Sequence, residues 1–230
     1  MPEQIDLRSA GSGEDLANLG AALFVEKLET FESPLVTLPT GATPLGMYHA
    51  LATHHAHRRD LWEKMRFLAL DEYLGLRRGD PRLFYGWLRR EFLDRVGIPE
   101  SRCTAFQSDA ADPRAEAERI KTWLRQNGPI DIAVLGLGTN GHIAFNEPGS
   151  AFDSTVRAVT LTEDSRKANA AYWGDIALVP ETALTLGLGD LAAARHSILL
   201  VSGAHKAAIL DRVMKGPVTT DVPATYLRGR

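Results

Sequence analysis

Apolar positions along this chain follow two periods, one helical and one extended. From Glu14 to Thr30 they recur at helical spacing (Leu16, Leu19, Leu23, Leu28), which predicts an amphipathic helix. Pro34 to Pro39 is a short apolar run and reads as a strand. A helix follows from about Thr43. Pro44 sits in its first turn, where the missing N–H is tolerated, and Leu45, Tyr48 and Leu51 keep helical spacing. Arg66 to Leu70 predicts a strand that runs into Asp71-Glu72-Tyr73. Helices are predicted over Arg82–Val96 and Asp112–Gln126, the second with Asp112 as cap and Pro113 behind it. Ile130 to Leu135, IDIAVL, is apolar apart from Asp131, the pattern of a strand buried on both faces. Thr155 to Leu161 alternates as a strand does, Glu163 to Trp173 reads as a helix, Ala183–Leu186 and Ser197–Val201 as strands, and Ala204–Met214 as a last helix.

Strands alternating with helices predict an α/β fold: three layers, with a mostly parallel, doubly wound sheet and helices on both faces. No internal repeat, low-complexity tract or long Pro, Gly or Ser linker interrupts residues 1–230, so a single domain is expected. In such sheets ligands bind beyond the carboxyl ends of the strands. Three strand ends carry polar chemistry: Pro39 to Pro44, Leu70 to Tyr73, and Gly136 to Pro148.

Composition narrows the classes of function. Of 230 residues, 44% are hydrophobic and 24% charged, which excludes a disordered or fibrous chain. The net charge of −3 offers no basic field to nucleic acid or to an anionic membrane surface. No run of 18 apolar residues predicts a membrane span, and the first residues carry acids where a secretion signal needs cations and an apolar stretch. A cytoplasmic protein is expected. The single cysteine, Cys103, permits no internal disulfide and no cysteine-based metal site.

The first strand end, Pro39-Thr40-Gly41-Ala42-Thr43-Pro44, puts a glycine turn at a helix start. Gly41 lets backbone approach a ligand closely, and the free N–H groups and dipole of the helix start suit an anion. An ordinary strand–helix turn with a Thr cap has the same composition. It is not a Walker loop, because Met47 stands where that motif needs Lys. At the second, Asp71 follows the apolar run directly. It is either a partly desolvated base or half of a solvated acid pair with Glu72. The third contains Gly136, Gly138 and Gly141 at dinucleotide-fingerprint spacing, but Pro148 forbids the long helix that motif requires. Its glycines instead let backbone hug a small ligand. Asn140, His142 and Glu147 share this loop, and a His beside a carboxylate can move protons near neutral pH. A structural His donating to backbone is the ordinary alternative. His49, His54, His55 and His57 crowd one segment near Arg58 and Arg59 and read as a solvated helix end rather than a metal site. Lys206, at the start of the last helix, is either a surface lysine or a cation reaching an anion at the same edge.

Together these segments resemble the glucosamine-6-phosphate deaminase family, which shares its fold with 6-phosphogluconolactonases. The resemblance runs through LPTGATPLGMYHAL, FLALDEYLGL, LGLGTNGHIAFNEPGS, TVRAVTLTEDSRKANA, ALTLGLGDL and SGAHKA, in family order. The Phe-Asn-Glu-Pro continuation after His142 marks the deaminase branch rather than the lactonase branch. The resemblance implies conversion of glucosamine 6-phosphate to fructose 6-phosphate and ammonia in amino-sugar catabolism, without metal or cofactor. Galactosamine 6-phosphate giving tagatose 6-phosphate is the alternative, and a lactonase or a non-catalytic sugar-phosphate sensor are lesser ones. By position, Asp71 is implied as the base that takes the C2 proton and returns it at C1. His142 is implied to open the sugar ring, oriented by Glu147 and Asn140. Thr40, Gly41, Ala42, Thr43 and Gly138 are implied to cradle the substrate, and Lys206 to pair its phosphate. The implied partner is a small phosphosugar, and the chain is either a monomer or a homo-oligomer.

Four departures from the family pattern stand out. Asn140 replaces a common Asp and so cannot offset an imidazolium charge, which implies an altered pH profile. Ala171 replaces a phosphate-binding Arg of the lid. Ser150 and Arg157 match allosteric phosphate ligands of the hexameric branch, but Val159 replaces a Lys, which argues against amino-sugar-phosphate activation. Arg230 follows PATYL closely, where the family usually continues into a final strand.

Overall fold

The computed structural model describes residues 5–229. The first helix, α1 (Gly13–Glu29), is opened by Ser12, whose hydroxyl accepts from the Asp15 N–H at 3.1 Å. Glu14 and Asp15 in its first turn and Lys27 in its last complement the helix dipole. Its buried face is Gly20, Ala21, Phe24, Val25 and Leu28, so of the expected line Leu16, Leu19, Leu23 and Leu28 the last is in the core and the first three lie at the margin of the stripe. Strand β1 (Leu35–Thr37) leads into α2 (Ala42–His55), which packs on α1. A short helix α3 (Arg59–Trp62) precedes β2 (Arg66–Leu68) and β3 (Asp71–Tyr73).

The expected strand Arg66–Leu70 is in fact divided. β2 pairs parallel with β1, while Ala69 and Leu70 leave that sheet and β3 enters a second one. The expected helix Arg82–Val96 is also corrected. Its α-helical part, α4, spans only Phe84–Leu88 and passes into a π turn over Arg89–Leu93. The start is fixed by Glu72, whose carboxylate accepts the N–H groups of Phe84 and Tyr85 at 2.9 and 3.0 Å.

A two-residue strand unmarked in the sequence pattern, β4 (Cys103–Thr104), pairs with β2. Helix α5 (Pro113–Asn127) is capped by Asp112, as the sequence indicated. β5 (Ile132–Gly136) carries four fully buried residues in a row. Of these, Ile132, Val134 and Leu135 each contribute about 1.5–3 kcal/mol through burial. β6 (Arg157–Thr160), α6 (Glu163–Trp173), β7 (Thr182–Thr185), the short α7 (Leu188–Ala192), β8 (His196–Leu200) and α8 (Ala207–Lys215) complete the chain order. The last expected helix, Ala204–Met214, opens as a 3-10 turn over Ala204–Lys206 before α8 begins. Residues 223–229 form a further 3-10 helix.

The strands make two sheets. The larger has the order β4-β2-β1-β5-β8 with every pair parallel. It is the mostly parallel sheet expected from alternating elements, since parallel neighbours need crossover connections. The smaller, β3-β7-β6, is antiparallel. At the amino edge of the large sheet, buried Asp131 accepts the Leu35 N–H at 2.8 Å and pairs with Arg195 at 3.1 Å. The carboxyl edge is where the candidate residues gather. Among the described residues, no helix is long and apolar enough to cross a membrane.

Candidate active site

At the end of β1 the chain turns at Gly41, whose φ of +114° is a conformation that side-chain-bearing residues rarely adopt. Gly41 is itself the N-cap of α2, so the Thr cap of the ordinary reading does not form. No side chain caps this helix start. Its first amides, at Ala42 and Thr43, therefore have no side-chain cap and, with the helix dipole behind them, suit an anion. The Tyr48 hydroxyl donates to the Pro39 carbonyl at 2.6 Å and pins the turn, and the Thr43 and Ser202 hydroxyls meet at 2.9 Å. The exits of β1 and β8 are thus joined.

Asp71 and Glu72 are not a solvated pair. Asp71 is 9% and Glu72 1% exposed. Glu72 is structural: besides Phe84 and Tyr85 it accepts the Tyr73 N–H at 3.1 Å. Burial lifts its carboxyl to about 7, against the pull of those three bonds. For Asp71, burial first and the neighbouring Glu72 charge second push the pKa up to about 8. A carboxylate whose ionised form is disfavoured in this way is a strong base once ionised.

After β5 the loop folds back on itself. The Gly138 N–H donates to the His142 carbonyl at 2.9 Å and the Gly141 N–H to the Gly138 carbonyl at 3.0 Å. A Cβ at Gly138 would lie 2.4 Å from the His142 ring. Gly138 is therefore bare to seat that ring, a different reason from the close ligand approach read in the sequence. Asn140 accepts the His142 backbone N–H at 3.1 Å through its carbonyl oxygen and donates to Glu147 Oε2 at 2.8 Å through its amide. It reaches His142 through the main chain, and the imidazole ring faces Glu147, with Nδ1 3.5 Å from Oε2. An ionised Asp at this position would set a second carboxylate against Glu147, whereas the Asn amide supplies a donor.

Burial works to raise the Glu147 pKa. His142 opposes it most, by hydrogen bonding and charge, followed by the Ser165 hydroxyl and the Asn140 amide; together they hold it at about 2. Glu147 is thus a fixed negative charge beside the His142 imidazole. The Lys206 ammonium donates to the Leu137 carbonyl at 2.6 Å, and its half-burial lowers its pKa. One of its three donors is engaged and two remain for an anion.

Topology brings these groups to one edge. β1, β2, β5 and β8 run parallel, so their carboxyl ends coincide. Asp71 joins them through β7, its register partner being Thr185. A cavity of about 510 Å³ lies elsewhere, between α4 and the β4–α5 connection; Glu72, Tyr85, Arg89 and Arg119 are among its lining residues, and it contains none of the ten candidate residues. It lacks both the base and the His, so the strand-end edge is the stronger site. The histidine-rich segment is peripheral: His49 pairs with Glu91 at 3.3 Å, and among the described residues no group of three or more His, Cys, Asp or Glu is placed to hold a metal.

Three participants escaped the sequence reading. Ser165, in the first turn of α6, donates its hydroxyl to Glu147 Oε1. Trp173, at the other end of α6, packs edge-on against Tyr73 with ring centres 5.2 Å apart. Helix α6 thereby touches both the loop of His142 and the strand of Asp71. The third is Thr185. None has a local signal, since each acts across the fold. Ser150 and Arg157 are in contact, the guanidinium donating to the hydroxyl at 3.2 Å. Ala171 falls within α6, and its side chain lies outside the described residues.

A family model described as glucosamine-6-phosphate isomerases/6-phosphogluconolactonase matches residues 11–230. A glucosamine-6-phosphate deaminase of Halalkalibacterium halodurans is 35% identical over 215 residues, 94% of this chain and 87% of that one. A solved monomeric glucosamine-6-phosphate deaminase superposes with a TM-score of 0.93 at 32% identity, covering 97% of this chain and 92% of that one. A solved 6-phosphogluconolactonase from Trypanosoma brucei covers 96% of this chain and 91% of its own at a TM-score of 0.74, but at 23% identity that likeness shows the fold alone.

Proposed function

Because the chain belongs to the glucosamine-6-phosphate isomerase/6-phosphogluconolactonase family, we propose that it converts glucosamine 6-phosphate and water to fructose 6-phosphate and ammonia. The observations that carry this reading are a buried carboxylate at Asp71, just past the carboxyl end of β2, and the His142–Glu147 pair in the loop after β5, which bonds through Phe145 to Thr185, the register partner of Asp71. His142 relays a proton between the ring oxygen and the C1 hydroxyl and opens the sugar, with the Glu147 charge stabilising the imidazolium that forms in passing. Asp71 then takes the C2 proton of the open aldehyde, giving an enolamine, and returns it to C1. The carbon–nitrogen bond becomes an iminium at C2, which water hydrolyses to the ketone with release of ammonia. The steps balance with proton transfers and one water consumed for each ammonia released, and the oxidation at C2 is matched by the reduction at C1. The substrate phosphate is held by the first amides of α2, the Thr40 and Thr43 hydroxyls and the Lys206 ammonium.

The deciding experiment is ammonia release from glucosamine 6-phosphate and, separately, galactosamine 6-phosphate, with the ketose product identified. Rapid release from the first with fructose 6-phosphate as product supports the reading. Release from the second alone changes the sugar, and release from neither removes the deaminase assignment. In the same assay, Lys206→Met is expected to raise KM about tenfold or more with kcat within about threefold, because a charged hydrogen bond to phosphate contributes about 1.5–3 kcal/mol. An unchanged KM would take Lys206 out of the phosphate site.

A further inference from the structure

Three strands of the small sheet carry a row of registered residues: Arg157 on β6 faces Thr185 on β7, and Thr185 faces Asp71 on β3. Cross-strand partners project to the same face of a sheet, so this row links Asp71 to whatever Arg157 and Thr185 touch. Both touch the loop that carries His142 and Glu147. The Thr185 hydroxyl accepts the Phe145 N–H at 3.3 Å and donates to the Leu186 carbonyl at 3.1 Å. Asn146, fully buried like Thr185, donates from its amide to the Ile143 carbonyl at 3.1 Å and to the same Leu186 carbonyl at 2.9 Å. Its carbonyl accepts from Arg157 at 2.9 Å. Leu186 in turn donates its N–H to the Leu70 carbonyl at 2.9 Å, one residue before Asp71.

We infer that Thr185, Asn146 and Arg157 are positioning residues that set the carboxylate of Asp71 against the His142–Glu147 pair. The inference rests on the deaminase reading for its kinetic consequence. The geometry supports more than a general packing role. Leu186 is a node with Leu70 on one side and Asn146 on the other, so the path from the base to the loop runs through four buried hydrogen bonds. The Thr185 hydroxyl and both ends of the Asn146 amide bond within the bridge, Arg157 ties it to Ser150 as well, and satisfied buried polar networks specify one arrangement. Ala144 within the loop is held at a φ of +50°, where a non-glycine residue needs its surroundings to keep it. Without the Thr185 hydroxyl the Phe145 amide loses its buried partner and the loop shifts relative to β3. The reaction needs both groups on one substrate, and small misplacements cost rate rather than binding.

The test is Thr185→Val, which keeps the shape and removes the hydroxyl, beside Thr185→Ser, which restores it, and Arg157→Gln at the accessible end of the bridge. Thr185→Val is expected to lower kcat about 10- to 100-fold with KM within about threefold. Thr185→Ser is expected to recover kcat to within about threefold, and Arg157→Gln to fall between the two. Hydrogen exchange read on the same proteins should show faster exchange at Phe145 and its loop in Thr185→Val, and near-normal exchange in Thr185→Ser. A kcat unchanged in folded Thr185→Val overturns the inference, as does a loss that Ser fails to rescue. Wild-type protein without ammonia release would remove the deaminase reading instead, and the exchange comparison would still decide the bridge: an undisturbed loop in Thr185→Val refutes it. Should Thr185→Val not fold, Arg157→Gln carries the kinetic test alone, and its equality with wild type is the refuting result.

Discussion

Asp71→Asn is expected to lower kcat/KM by about 1,000-fold or more, within the range lost when a positioned general base is removed, while leaving the fold and phosphosugar binding in place. The amide has nearly the shape of the carboxyl and takes no proton. Near-normal turnover would remove Asp71 as the base. Wild-type activity carries the companion signature. Burial holds the Asp71 pKa at about 8 in the free protein, so kcat/KM rises with pH and levels off above that value. A profile already flat from pH 5 upward would place the base elsewhere.

The same substitution separates function from stability. Between the ordinary aspartate value of 3.8 and about 8, the folded chain holds a proton on Asp71 that the unfolded chain has released. Stability attributable to this group therefore falls as pH rises through that window. The Asn variant has no such loss. Its thermal midpoint should exceed that of the wild type by a margin that widens between pH 5 and pH 9, at about 2–4 °C per kcal/mol for a chain of this size. A margin that stays constant or shrinks across that range would show that Asp71 ionises in the folded protein as it does in water.

His142→Gln is the second large effect. Reaction on the cyclic sugar should slow by about 100-fold, and reaction on an analogue held in the open-chain form by less than about tenfold. The reasoning is geometric. The Glu147 carboxylate is held ionised down to about pH 2 and lies 3.5 Å from His142 Nδ1, so it stabilises an imidazolium but has no proton to relay itself. Asn140, being neutral, adds no charge to that pair. Equal slowing on both sugars would dismiss the ring-opening role and leave His142 as a binding residue.

Much of the architecture was legible before any coordinates. Asp112 with Pro113 marked a helix start, the apolar run within Ile130–Leu135 marked a central strand, and Glu163–Trp173 was bounded to the residue. These succeed because caps and periodicity act over a few residues. Arg66–Tyr73 defeated that reasoning. Nothing in RFLALDEY says that its first half pairs parallel with one sheet and its second half antiparallel with another, since the pairing partners, β1 and β7, lie far away in the chain. The start of α4 at Phe84, two residues later than expected, was equally hidden, because it depends on Glu72 reaching across to the amides of Phe84 and Tyr85.

The chain's own order of residues determined which chemistry was on offer: a glycine turn at a helix start, an acid directly behind an apolar strand, and a His with Asn and Glu in one loop. Those are local facts of composition and spacing. Whether Asp71 sits in water or in the interior, why Gly138 must be bare, that Asn140 speaks to Glu147 rather than to the imidazole, and that Ser165 and Thr185 belong to the site at all were decided only by tertiary structure. Desolvation depends on what packs above a residue, and a hydrogen bond between positions 147 and 165, or 145 and 185, depends on how two sheets meet.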